Sequence, residues 1–203
     1  FLPVVGSTFL WGLTFDAVLA ARAVSFFPDV LRLFEGQHAG QPFVLQPWQQ
    51  FIVGALFGWK RADGSRRFRN AYIESAKGSG KSPLAAGLAI YMLTADGEAS
   101  AEVYAAAVTR DQAGIMFRDA DRMVAASPGL RRRIQQSVHN LAHASSGSFL
   151  RPVSSEARSL DGKRVHAAFI DEIHEHRDSL VVDKMRAGTK GRRQALIFEI
   201  TNS

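Results

Sequence analysis

Four short apolar runs punctuate the chain: Arg69–Ser75, Glu102–Val108, Val165–Asp171 and Ala195–Thr201. Each has the length and composition of a strand buried on both faces. The intervals carry helical spacing instead, clearest at Leu84–Leu93 and Gln112–Val124. Strands alternating with helices predict an α/β chain with a mainly parallel sheet covered on both sides. Upstream, spaced apolar positions over residues 16–35 predict a helix ending near Gly36. Pro47 fits the first turn of a second helix running through Gln49, Phe51, Ile52 and Leu56. The segment GQHAGQPF between them reads as a loop, ADGS at residues 62–65 as a turn, and residues 138–153 as an antiparallel excursion. No repeat, low-complexity tract or Pro/Gly-rich linker divides the 203 residues, which read as one domain.

Composition adds limits. With 46% hydrophobic and 22% charged residues the chain has an ordinary globular balance, which argues against disorder. The absence of cysteine excludes disulfides and thiolate metal sites. The apolar opening FLPVVGSTFLWGLTF is too short to span a bilayer and lacks the basic start of a signal peptide. A first residue of Phe1 rather than Met is what a fragment would show. The net charge of +6 is unevenly placed. Residues 60–82 carry seven basic side chains against two acidic, and residues 183–193 five against one. Such clusters suit a polyanion, whether ATP phosphates or nucleic acid; a solubilising surface is the alternative.

The sharpest local signal is Ser75-Ala-Lys-Gly-Ser-Gly-Lys-Ser82, placed after a strand and before a helix. Gly78 and Gly80 let the backbone turn its N–H groups toward phosphate oxygens at the positive end of the helix. Lys81 would reach the β and γ phosphates, and Ser82 would hold Mg²⁺. The strict pattern begins with Gly, and Ser75 departs from it. The second signal is Val165-His-Ala-Ala-Phe-Ile-Asp-Glu172, an apolar strand delivering two carboxylates. Asp171 can organise a metal, and Glu172 can polarise the water that attacks the γ-phosphate. The nearby His174, Glu175 and His176 lack the spacing of a helical metal clamp.

These motifs together resemble the ATPase domain of tailed-bacteriophage terminase large subunits, the motors that package DNA. The resemblance runs from about residue 16 to the end. It is carried by Phe43-Val-Leu-Gln-Pro-Trp-Gln-Gln-Phe, Arg66-Arg-Phe-Arg-Asn-Ala-Tyr-Ile-Glu, Lys77-Gly-Ser-Gly-Lys-Ser, Val103-Tyr-Ala-Ala-Ala, Ser159-Leu-Asp-Gly, Ile170-Asp-Glu-Ile-His-Glu and Thr201-Asn-Ser. It implies a three-layer P-loop fold with an extra strand between the Walker A and Walker B strands. Residues 1–60 then form a helical lead-in and residues 61–203 the nucleotide-binding core.

Residue by residue, the resemblance implies that a non-glycine start at Ser75 is tolerated, and that Ser75, Ala76, Lys77, Gly78, Ser79, Gly80, Lys81 and Ser82 all meet the nucleotide. Lys77 matches a basic residue that assists with phosphate charge; a solvated loop lysine is the alternative. Gln49 matches a glutamine that reads the adenine edge, against an exposed amphipathic position. Trp48 reads as core. Thr201 and Asn202 match a motif coupling hydrolysis to movement, against a plain turn. Arg158 and Arg164 are candidates for an arginine supplied to a neighbour's site, with Arg192 and Arg193 as rivals that could instead contact DNA. The implied cofactors are ATP and Mg²⁺. The implied partners are double-stranded DNA, further copies in a homo-oligomeric ring, a portal protein and a terminase small subunit, in the host cytoplasm and away from membranes. A C-terminal nuclease domain of the family has no counterpart here. Another translocase or helicase, a small-molecule kinase, and a nucleotide-dependent assembly module are the competing readings.

Overall fold

A computed structural model describes residues 12–154, 162–173 and 179–202. The chain enters through β1 (Leu13–Phe15) and α1 (Ala17–Val30), whose N-cap Asp16 accepts from the Leu19 N–H at 2.9 Å. The helix stops at Val30, short of the expected end near Gly36. Pro28 is carried inside the helix, the Leu31 N–H still closes on Phe27 O, and Leu31 then turns extended. The Arg32 N–H is taken by Ser127 Oγ at 2.9 Å, and the chain doubles back so that Phe43 N donates to Leu31 O. Apolar residues beyond Val30 therefore continue to be buried, but from an extended segment.

Next come α2 (Pro47–Gly58), with Pro47 in its first turn, and β2 (Trp59–Arg61), which pairs antiparallel with β1. The expected turn closes through Arg61 N to Ser65 O. The remaining elements are β3 (Asn70–Ser75), α3 (Lys81–Thr94), β4 (Glu102–Ala107), α4 (Arg110–Ala126), α5 (Pro128–Arg131), β5 (Ile134–Ser137), β6 (Asn140–His143), β7 (Ser148–Ser154), β8 (Val165–Ile170), α6 (Leu180–Gly188) and β9 (Leu196–Asn202).

The main sheet has the order β3-β9-β8-β4-β7-β6-β5. Its first five strands run parallel, and β6 and β5 close the far side antiparallel; the excursion expected over residues 138–153 thus begins earlier, at Ile134, and within it β7 is parallel to β4. Strand β9 lies between β3 and β8, the position expected for an extra strand between the two motif strands. Alternate residues feed two layers. Val103, Ala105, Phe169 and Phe198 join α1, α2, α3 and α4 in the larger core, while Tyr104, Ala106, Ile170 and Ile197 meet Val181, Val182 and Met185 of α6. One of the four strands differs from expectation. Among the described residues β3 is an edge strand, and Asn70, Tyr72 and Glu74 are exposed on the face that α6 leaves uncovered. No helix among the described residues is long and apolar enough to cross a membrane.

Candidate functional site

Because β3, β9 and β8 are neighbours and parallel, their C-terminal ends open on one edge of the sheet. That placement collects Ser75 from β3, Asn202 from β9, and Asp171 and Glu172 just past β8. The loop from Ala76 to Gly80 then leads into α3, which opens with Lys81 and Ser82. Gly78 and Gly80 both take left-handed backbone, with φ of 80° and 88°. A Cβ is strained there whatever the space, so the two glycines are needed where the sequence has them. Ser75 Oγ and Ser79 Oγ lie 2.8 Å apart and close the loop across its mouth. A hydroxyl in the first position thus does something that glycine cannot.

Lys81 is 5% exposed, and its ammonium donates to Asn202 Oδ1. Asn202 Nδ2 in turn donates to Glu172 Oε1 at 2.6 Å. One amide therefore joins the loop lysine to the second carboxylate of the acidic pair. Glu172 itself sits at φ 47°, unusual for a residue with a side chain, and its N–H is held by Asp171 Oδ1 at 2.8 Å. Asp171 N continues the strand pairing to Ala106 O. Thr201 is buried one residue before Asn202.

Gln49 is 2% exposed and committed to the backbone: Oε1 accepts from Gln46 N at 2.9 Å, and Nε2 donates to Gly80 O at 3.1 Å. The helix it belongs to is thereby tied to the phosphate loop, and the alternative of an exposed amphipathic position does not hold. Trp48 packs against the core, as read from the sequence. Lys77 is exposed on the loop.

The arginines divide differently. Arg164 precedes β8, so it lies seven residues, about 23 Å, from Asp171 along an extended strand. It is not brought to the site of its own chain. Arg192 is consumed internally: it bonds Glu98 Oε1 at 2.8 Å, Ser100 O at 2.6 Å and Arg164 O at 3.2 Å. Arg158, His174, Glu175 and His176 lie outside the described residues.

Sequence reading missed Asp119 on α4. Burial above all, then the charge of Glu35, push its carboxyl up to about 6; Asp171 adds to the rise, while Arg122 and Arg118 oppose it. Periodicity marks Asp119 only as one more polar helix position, so no signal singled it out.

The donor set fits a nucleoside triphosphate with its metal. Left-handed glycines at a helix N-terminus turn amides toward an anion, and Lys81 adds a cation. Ser82 and Asp171 offer the hydroxyl and carboxylate oxygens that Mg²⁺ takes.

Comparison with known proteins accords with this geometry. A family model described as "Terminase large subunit, ATPase domain" matches residues 47–203. The large terminase subunit of Enterobacteria phage HK97 is 25% identical over 154 residues, covering 74% of this chain and 30% of that protein. The crystal structure of the HK97 large terminase superposes with a TM-score of 0.75 at 22% identity, over 90% of this chain and 37% of that one. The ATPase domain of the Thermus phage P74-26 large terminase gives 0.53 at 18% identity, over 66% of this chain and 60% of that one. A large terminase from a thermophilic bacteriophage, in complex with ADP, gives 0.50 at 13% identity, over 66% of this chain and 33% of that one. The chain thus spans about a third of the HK97 protein it matches. With the family model covering more than half of its residues, this chain belongs to the terminase large subunit ATPase domain family.

Proposed function

We propose that this chain hydrolyses ATP to drive double-stranded viral DNA into a capsid, as the motor domain of a terminase large subunit. The observation that carries the reading is the hydrogen-bonded line from Lys81 through Asn202 to Glu172, which joins the phosphate loop, the end of β9 and the acidic pair on one edge of the sheet. The 203 residues then act as one motor domain, a lead-in over 1–60 and a nucleotide-binding core over 61–203.

In this scheme the amides of residues 76–80 and the Lys81 ammonium bind and orient the phosphates. Ser82 and Asp171 hold Mg²⁺, which when bound draws charge from the phosphate oxygens. Glu172 positions and deprotonates the attacking water, and Asn202 holds the Glu172 carboxylate in place for that task. Thr201 and Asn202 carry the change in phosphate state into β9. Gln49 has given one amide hydrogen to Gly80 and has a second for an adenine edge. Arg164 is too far to serve its own site and would act, with Arg158, on a neighbour in a homo-oligomeric ring. Portal protein, terminase small subunit and the host cytoplasm complete the setting that the family implies.

The test is Mg²⁺-dependent ATP turnover across protein concentration, with and without duplex DNA, for the parent, Lys81→Ala and Glu172→Gln. Turnover rising faster than linearly with protein, and lost in both variants, is expected. ATP binding without turnover at any concentration would favour an assembly module. Failure to bind ATP would overturn the reading.

A further inference from the structure

The two basic runs of the sequence are separated by more than a hundred residues, yet the fold brings them together. Ile197 N donates to Arg69 O, Arg69 donates to Arg192 O at 3.0 Å, and Lys60 reaches Gln194. Their meeting place is a cleft of about 370 Å³ lined by Arg61, Arg69, Asn70, Arg186, Thr189 and Lys190. It lies at the N-terminal ends of β3 and β9, beside the C-terminus of α6. Ser75, where the phosphate loop begins, is five residues up β3 from Asn70, about 17 Å away. The cleft is therefore separate from the site described above, and β3 and β9 each run from one to the other.

Converging cations repel one another unless internal carboxylates or an external anion offset them. Part of the cluster is offset internally: Arg66 pairs with Asp96, Arg192 with Glu98, and Arg186 with Glu199 at 2.8 Å. Arg186 nonetheless keeps about half of its side chain exposed (49%), and Arg61 and Lys190 are exposed. Beside the cleft, burial first and the Arg66 charge second lower the pKa of Lys60, while Asp96 and Asp16 oppose the shift. Two of these cations also suit the negative end of the α6 dipole, because Arg186 lies in the last turn of that helix and Lys190 just past its end. That account does not cover Arg61 and Arg69, which come from the other side of the cleft.

We propose that this cleft is a seat for the phosphate oxygens of a duplex DNA backbone. The inference rests on the motor reading above and adds the surface by which the DNA is held. Guanidinium forks match paired phosphate oxygens, and the Asn70 amide adds a neutral donor of the kind that contacts backbone phosphates. The two apolar lining residues, Ala195 and Ile197, are each only 1% exposed, so the cleft presents no apolar anchor for a polypeptide. Such a seat grips without reading sequence.

The experiment measures binding of the full chain to a mixed-sequence duplex of about 30 bp by fluorescence anisotropy over a salt series. The parent is compared with Arg61→Ala/Lys190→Ala and, as a control, Arg132→Ala, an exposed cation outside the cleft. Circular dichroism checks folding, and binding of a fluorescent ATP analogue checks the nucleotide site. Removing two phosphate contacts should reduce the slope of log K against log salt by about 1.8 and weaken binding at least tenfold at low salt, with ATP binding unchanged. The control should keep the parental slope. Parental binding by the double variant, an equal loss in the control, or no duplex binding by the parent at low salt overturns the proposal. Retained duplex binding with lost binding of poly-glutamate would assign the cleft to an acidic protein instead. Intact ATP turnover alongside any of these refutes the seat alone, whereas loss of ATP binding in the parent refutes the motor reading.

Discussion

Asp96 is the place to perturb the far end of the fold. It lies just past the end of α3, and its two oxygens take two buried partners: Oδ1 accepts from Arg66 Nη2 and Oδ2 faces His166 Nε2 at 2.8 Å. Arg66 is 1% exposed, and the side chains of His166 and Asp96 are 0% and 7% exposed. Arg66 also lies over the Phe57 ring at 4.6 Å and reaches Met92 Sδ at 3.6 Å. The cluster is not fully satisfied, since Arg66 Nε and His166 Nδ1 are buried without a hydrogen bond among the described residues. Compared with an apolar replacement its net contribution is therefore small, because each orphan atom costs about 1–3 kcal/mol. Breaking it from one side is another matter. Asp96→Asn keeps the shape but leaves a buried guanidinium without its carboxylate, at a cost of about 3–5 kcal/mol. Against a total stability of roughly 5–15 kcal/mol that is a large fraction. Arg66→Met retains the stem against Phe57 and leaves Asp96 with His166, so about 2–3 kcal/mol is expected. The double variant should be less destabilised than the sum by at least about 2 kcal/mol, because neither charge is then left alone. Urea unfolding followed by circular dichroism measures all four corners of the cycle. A cost below about 1 kcal/mol for Asp96→Asn, or simple additivity, would refute the claim that these charges are held in a poorly solvated place.

Three further outcomes follow from particular contacts. A Cβ on Gly87 of α3 would meet Phe27 Cε1 at 2.5 Å. Gly87→Ala should therefore lose about 1–3 kcal/mol to crowding, outweighing a helix gain of at most about 1, and the denaturation midpoint should fall; a rise would show that the Phe27 ring gives way freely. Asp119 has a folded pKa of about 6, above the ordinary value of 3.8, so the fold disfavours its charged form. The penalty is full above about pH 6 and vanishes below the unfolded value, so Asp119→Asn should stabilise by about 1 kcal/mol at about pH 8, after allowance for solvent screening, and by little at about pH 4. An equal shift of the melting temperature at both pH values would refute this. Asn202→Ala removes the group shared by Lys81 and Glu172, and should lower kcat by about tenfold to a hundredfold with a much smaller change in KM. A change confined to KM would count against a positioning role.

What could be read from the sequence was what depends on local order. The α3 and α4 helices, the four strands, Pro47 at a helix start and the paired glycines around Lys81 all follow from spacing and backbone chemistry over a few residues. The α/β class and the position of β9 followed from that alternation and from the resemblance that the motifs carried. The misreadings arose where distant partners decide. Residues 31–34 keep an apolar pattern but leave the helix, because Ser127, nearly a hundred residues away, takes the Arg32 amide and the returning chain pairs with Leu31 and Leu33. Apolar composition put β3 in the interior, but only the packing of α6 shows that one of its faces is left open. Arg192, offered as a reactive or DNA-contacting cation, spends its donors on Glu98, Ser100 and Arg164.

The same contrast explains why the site was more legible than the surface around it. Phosphate chemistry requires a loop, a lysine and a carboxylate pair in fixed local patterns, each recognisable alone. The link between them, Asn202 bonded on one side to Lys81 and on the other to Glu172, depends on β9 inserting between β3 and β8. Composition alone could not show that residues 60–69 and 184–193 form one cationic cleft, since that requires the starts of β3 and β9 to be hydrogen-bonded neighbours. One strand pairing thus sets both the geometry at the phosphate end and the charge at the opposite end. A change that shifts the β3–β9 register by a residue should therefore disturb ATP turnover and duplex binding together, while a change confined to either end should disturb one of them.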